Sequence, residues 1–366
     1  LFSHKQAAMR RAFSCFAPHR VLCLPGDGVG AELIAATKLV LEATGVRLNF
    51  EDMDFGNAFA QRMGDPINET HLRAVEQIGC VLKGPIEISG SCLVEVRGQR
   101  FTSANQALRK IFQLYANVRP AKYLAGTCSK FPGTDTVIIR ENTEGMYTGE
   151  EAWERTDQTS VVATRRITQK GVSRAAKFAF EYARRRRRKK VTAAHKANVL
   201  KLSDGLFLRC CRDIASGYPE IEYTEQLCDS LLTAMVLHPQ RWDIILCENL
   251  FGDLVSDLAA GLVGGLGLAP SALYGDAGVA IFEPAHGSAP DIAGKDVVNP
   301  TSMLLSASLM LQHLGEDAAS QVLEVALERV IREGSDTTPD LGGASGTHQM
   351  AAAVAAQIRE ARTKLP

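Results

Sequence analysis

A short apolar strand, a glycine turn and an amphipathic helix succeed one another near the start of this chain, and the same alternation persists for most of its length. VLCL at residues 21–24 leads into GDGVG at 26–30, an apolar-periodic stretch at 32–44 and a second strand pattern at 48–50, with VL at 81–82 closing the next unit. Such alternation predicts an α/β fold, strands in a sheet and helices on its faces. Gly26, Gly28 and Ala31 also satisfy the relaxed GxGxxA pattern, with Glu51 and Asp52 near the place of a ribose-binding acid. A lone glycine fingerprint is weak, since any tight strand-to-helix turn needs small residues, and the Rossmann reading is set aside.

Downstream, residues 89–101 interrupt the rhythm with a pattern that alternates and then turns at Gly98, predicting a short hairpin before a helix at 104–115. Strands are expected at 137–140 and 160–167. The second follows a polar, turn-rich piece and suits an exposed β arm. A helix over 170–187, strands at 190–194, 221–224 and 242–247, and helices starting at 202 and around Asp229 come next. A glycine-rich, loop-like stretch then runs to Asn299, followed by helices at 301–313 and 318–331.

Composition excludes several classes of function. Lys plus Arg and Asp plus Glu number 41 each, so no global field draws the chain to nucleic acid or to an anionic membrane. The seven consecutive basic residues from 184 to 190 lie at a helix end, where cations are favourable, and lack interleaved aromatics. No apolar stretch is long enough to span a bilayer. Nine cysteines without a CxxC pair fit a reducing compartment. The first twenty residues contain no acid but carry Lys5, Arg10, Arg11 and Arg20, so residues 1–19 read as a mitochondrial transit peptide or a tail.

Chemistry concentrates in a few motifs. In ENLFGDLVSD, Asp253 and Asp257 are four apart where a strand gives way to a helix, so they share a face and can share a hard cation, or else complement the helix dipole. Arg109, Arg119 and Arg140 sit on separate segments; guanidinium groups grip carboxylates in pairs of bonds, and three of them imply a substrate with more than one carboxylate. Each alone is as readily a surface ion pair. HKAN leaves Lys196 and Asn198 on a loop after a buried strand, where the lysine is a candidate base or a plain surface cation.

These motifs, with Asp229 in CDSLLTAMV, HKAN and EPAHGSAPDIAGKDVVNP, resemble in order and spacing the isocitrate and isopropylmalate dehydrogenases, a family of decarboxylating 3-hydroxyacid dehydrogenases. The resemblance runs from Val21 to about Gln349. It implies a fold that is not Rossmann, with a large domain from residues 20–114 and 264–366 and a small dimerisation domain from 115–263 bearing the β arm. It further implies a substrate clamp of Arg109, Arg119 and Arg140 with Tyr147, and Mg2+ or Mn2+ on Asp253, Asp257 and a neighbouring subunit's Asp229. Lys196, with Asn198, would cross to the neighbouring subunit as base, and Tyr147 would deliver a proton to the product. NAD would lie along His286, Gly287, Val298 and Asn299, with Asp291 and Ile292 discriminating between cofactors. Ser103 and Asn105 occupy the substrate-selecting positions; their polarity suits a third carboxylate, and Ser103 is also a natural N-cap. The resemblance is strongest to the mitochondrial NAD-dependent isocitrate dehydrogenases and implies oxidation of isocitrate to 2-oxoglutarate and CO2 by a homodimer with shared sites. A homoisocitrate or isopropylmalate dehydrogenase, or a regulatory subunit, is the alternative.

Overall fold

The computed structural model describes residues 17–87 and 94–363. Strand β1 (His19–Leu24) enters helix α1 (Gly30–Ala43) through the GDGVG turn, and β2 (Leu48–Asp52) returns beside β1. Two helices not anticipated from periodicity, α2 (Asn57–Met63) and α3 (Glu69–Ile78), precede β3 (Cys80–Lys83). A capping box fixes the start of α3: Asn68 accepts from the His71 N–H, and the His71 ring accepts from the Asn68 N–H. The expected hairpin is β4 (Val94–Val96) and β5 (Gln99–Phe101), joined through Arg97 and Gly98 at φ of 53° and 69°, as a two-residue primed turn requires. Its leading residues, 88–93, lie outside the described residues, as does most of the transit-peptide candidate.

Helix α4 (Ala104–Ile111) stops short of the expected Tyr115, and Arg119, expected just beyond that helix, lies within β6 (Ala116–Lys122). After β7 (Asp135–Glu141), the segments β8 (Glu151–Trp153) and β9 (Val161–Ala163) pair as an exposed two-stranded arm, with the strand expected over 160–167 confined to β9. There follow α5 (Gln169–Arg186), β10 (Lys190–His195), α6 (Ser203–Ala215), β11 (Glu222–Leu227), α7 (Cys228–Leu237), β12 (Ile244–Cys247) and α8 (Asn249–Val263). The stretch expected to be loop as far as Asn299 instead contains β13 (Pro270–Tyr274) and β14 (Ala280–Pro284). Helices α9 (Thr301–Leu314) and α10 (Asp317–Glu333) match expectation, whereas the final helix α11 (Thr347–Thr363) was not anticipated. Cations of the basic run are engaged by carboxylates: Arg184 by Glu220, Arg186 by Asp317, Arg188 by Asp135 and Asp243. Among the described residues no helix is long and apolar enough to cross a membrane.

Ten strands form one sheet in the order β11-β10-β12-β7-β6-β13-β14-β3-β1-β2. Both wings are parallel, and the joints β7/β6, β6/β13 and β13/β14 at the centre are antiparallel. This mixed order is not that of a Rossmann sheet. The acids at the end of β2 pair with surface cations, Glu51 with Arg20 and Asp52 with Lys38.

The two faces of the sheet are covered differently. One carries a single continuous core to which α1, α5, α6, α9, α10 and α11 contribute Leu33, Phe180, Phe207, Met303, Leu327 and Val354. On that side a cavity of about 210 Å³ lies between α5 and the pair α9 and α10, lined by Val137, Tyr182, Leu305 and Leu309 among others. The opposite face is covered by two separate clusters. Helices α3 and α4 pack Leu72, Val75 and Leu108 on Val81 and Ile281, while α7 and α8 pack Leu231, Val255 and Leu262 on Ile138 and Ile245. Between those clusters the central strands present polar side chains.

Candidate active site

Side chains alternate across a strand. Leu82, Phe282, Ala272 and Val118 point into the continuous core, so their successors or predecessors Lys83, Glu283, Ser271 and Arg119 face the interrupted layer. Lys83 Nζ lies 2.5 Å from Glu283 Oε2, with both side chains almost wholly buried, and Arg109 Nη2 of α4 lies 3.9 Å from Glu283 Oε1. Burial alone would raise the Glu283 carboxyl, but Lys83 and then Arg109 outweigh it and hold the group below the usual glutamate range. Burial also lowers the Arg109 guanidinium, with Glu283 opposing that shift. These residues share a cavity of about 180 Å³ with Asn105, Ile86, Arg119, His286 and Gly287.

Beside this cavity, α8 supplies the two aspartates. Its first turn is capped by Glu248, whose Oε1 accepts from the Phe251 N–H at 2.8 Å. Arg119 Nη1 lies 3.3 Å from Asp253 Oδ1, 3.4 Å from Asp257 Oδ1 and 2.7 Å from Ser256 Oγ, so one guanidinium bridges the face on which both carboxylates stand. Arg140, 1% exposed, donates to Asp253 and to Asn249 Oδ1, the latter at 2.9 and 2.7 Å. Its approach needs Gly252, because a Cβ there would come 2.6 Å from Arg140 Cγ. Burial and the neighbouring Arg119 push the Arg140 guanidinium down to about 10. The Tyr147 hydroxyl donates to Asp253, and its ring lies 4.8 Å from the Arg140 guanidinium carbon. Asp253 is held below the usual range because Arg140, Tyr147 and Arg119 overcome its burial, whereas burial raises the more weakly paired Asp257.

The other candidates are placed elsewhere. Ser103 caps α4, accepting from the Gln106 N–H at 3.1 Å, which leaves its own proton free to donate. Lys196 Nζ pairs with Asp229 Oδ1 of its own chain at 2.8 Å, and Asn198 is exposed nearby in sequence. Among the described residues no three His, Cys, Asp or Glu side chains gather as a metal site. Asp253 and Asp257 therefore offer two hard oxygen donors, which fit Mg2+ or Mn2+ only if further oxygens come from substrate, water or a second chain.

The segment 285–300 closes over the GDGVG turn, where the Val29 N–H donates to the Ser288 carbonyl at 2.9 Å. A Cβ at Gly28 would meet that oxygen at 1.9 Å, so this turn packs backbone on backbone. His286 Nδ1 contacts the Gly287 carbonyl at 2.8 Å, while its buried Nε2 has no hydrogen-bond partner in the chain, as a contact to a bound nucleotide would require. Asp291 and Ile292 lie on a helical turn at residues 290–292, Asp291 exposed and Ile292 partly buried against the continuous core. Val298 and Asn299 are buried; Asn299 is fixed by the Thr301 N–H and by Asp340, at 2.9 Å each.

A profile for isocitrate/isopropylmalate dehydrogenases matches residues 20–354. The chain belongs to this family. Its relatives include the 3-isopropylmalate/3-methylmalate dehydrogenase of Methanocaldococcus jannaschii, 44% identical over 93% of this chain and 99% of the relative. The probable mitochondrial isocitrate dehydrogenase [NAD] subunit alpha of Drosophila melanogaster is also 44% identical, over 88% and 83%. The crystal structure of isocitrate dehydrogenase from Methylococcus capsulatus superposes with a TM-score of 0.86 at 42% identity, covering 93% of this chain and 99% of that one. This dehydrogenase family oxidatively decarboxylates hydroxy acids with NAD and a divalent metal. Within its site, sequence reasoning missed Lys83, Glu283, Asn249 and Ser256. A usable signal existed for one of them: Lys83 is the only charged residue in the short, otherwise apolar strand CVLK.

Proposed function

We propose that this chain oxidatively decarboxylates isocitrate to 2-oxoglutarate and CO2 with NAD+, in mitochondria, as a dimer whose copies share their active sites. The observation that carries the reading is the gathering of Arg109, Arg119 and Arg140 beside two aspartates, with Asn105 in the wall of the same cavity and Ser103 at the start of its helix. The three guanidinium groups orient a tricarboxylate, with Arg119 and Arg140 released from Asp253 as substrate carboxylates replace it. The Ser103 hydroxyl and Asn105 amide donate to the carboxylate that distinguishes isocitrate from an isopropyl-bearing acid. Asp253 and Asp257, with the partner's Asp229, would hold a divalent cation supplying Lewis acidity at the substrate hydroxyl and carboxylate, while NAD+ along His286 and Asn299 would supply the hydride acceptor. The partner's Lys196 takes the substrate hydroxyl proton at Nζ, and the Tyr147 hydroxyl returns a proton to carbon after CO2 leaves. The two wings of the sheet would serve as the domains that enclose the gap, residues 20–114 with 264–366 against 115–263.

The archaeal relative favours a second reading, turnover of 3-isopropylmalate. Ile86 in the cavity wall would support it. Assay of the purified chain with isocitrate, homoisocitrate and 3-isopropylmalate against NAD+ and NADP+ separates the two. Isocitrate with NAD+ is expected to give the highest kcat/KM; a higher value for isopropylmalate rejects the first reading.

A further inference from the structure

Arg165, just after the arm, is in none of the motifs that suggested a function, yet it joins two parts of the site. Its Nη1 donates to Asp204 Oδ1 at 2.6 Å and to Ser203 Oγ at 2.9 Å. The other oxygen of Asp204 accepts from the Lys196 N–H at 2.6 Å, so this carboxylate, 1% exposed, fixes the turn that carries Lys196. On its other side, Arg165 Nη2 lies 3.5 Å from Glu248 Oε2, and Glu248 is the N-cap of α8, the helix bearing Asp253 and Asp257. Both of those atoms are buried and have no hydrogen-bond partner. Each is therefore committed to the other, because an unpaired buried charge is costly. The Phe251 ring, 5.6 Å from the guanidinium carbon, seals the contact from the helix side.

We infer that Arg165 is a positioning residue that couples the Lys196 turn to helix α8. The inference rests on the shared-site reading above. If Lys196 serves a second copy's site while α8 serves its own, Arg165 holds parts of two active sites at once. Its two arms are separable: Asp204 hydrogen-bonds the Lys196 turn, and Glu248 hydrogen-bonds the first turn of α8.

Mixed dimers test this. Lys196→Met and Tyr147→Phe are each inactive alone, and co-refolded they regenerate one intact site. Asp204→Asn is expected to complement Tyr147→Phe but not Lys196→Met, and Glu248→Gln to do the reverse. Arg165→Met is expected to complement neither, recovering less than about a tenth of the activity of the reference pair, since a misplacement near 1 Å costs about a hundredfold. Arg165→Lys keeps one bond and should recover in part. Loss of fold alone would not sort variants into opposite complementation classes. Should Arg165→Met fail to fold, Arg165→Lys carries the test: reduced recovery with both Lys196→Met and Tyr147→Phe is expected, and recovery at the reference level with either overturns the inference. Complementation by Arg165→Met at the reference level, or identical behaviour of the Asp204 and Glu248 variants, overturns the inference. A reference pair that forms mixed dimers without activity instead overturns the crossing of Lys196, and the coupling role with it.

Discussion

At the scale of single residues, charge placement decides chemistry. Asp291 is exposed on its turn, where an ionised carboxylate can accept from a ribose diol and would repel the phosphate of NADP+. Like charges juxtaposed in an interface cost several kcal/mol, so a preference for NAD+ of about a thousandfold is expected. Asp291→Lys with Ile292→Tyr should move the ratio of the two specificity constants toward NADP+; an unmoved ratio would sink the assignment. Glu283 makes a different prediction. Its folded pKa lies below the ordinary 4.5, so the stabilisation from its pair with Lys83 is in place above that value and is lost as pH falls through the lowered one. Glu283→Gln should therefore cost about 3 kcal/mol at neutral pH, with the gap in Tm between variant and parent closing under acid. A gap that stays constant down to pH 3 would show that the loss does not come from the ionised pair. The arginines and aspartates were legible because each sits in a motif of its own. The Lys83–Glu283 pair was not, because its partners are two hundred residues apart and meet only when β14 aligns with β3.

At the scale of elements, α8 shows two rules in conflict. Propensity favours Ala over Gly inside a helix by roughly 1 kcal/mol. Gly252→Ala is nevertheless expected to destabilise the fold and to lower kcat/KM by at least tenfold, since the new Cβ would displace the Arg140 stem from 2.6 Å. Melting and kinetics of that single variant check it, and a more stable, fully active Gly252→Ala would refute the packing argument. Helices with a one-sided apolar stripe, such as α10, were legible from period alone. Strands β13 and β14 were not: PSALY and AIFEP are short, buried on both faces and flanked by proline and glycine, so they show neither alternation nor length. The alanine-rich α11 was likewise unreadable, because AAAVAAQ has little contrast between its faces.

At the scale of the whole molecule, the sequence conveyed the α/β class but not the order of the strands, which depends on pairings between distant segments. That order leaves one face of the sheet with a continuous core and the other split in two. Mechanically, such a body is a beam clad without a break on one side and in two separate pieces on the other. If the gap between the two pieces narrows when substrate binds, the unbroken side must flex, and the cavity beside Leu309, between α5 and the pair α9 and α10, is where its packing is loosest. Filling that cavity should stiffen the beam. Leu309→Trp is expected to raise Tm by a few degrees while slowing turnover, with substrate affinity in the open form unchanged. Equal kcat in variant and parent would mean that turnover needs no flexing at this cavity, and that the gap on the far side works without it.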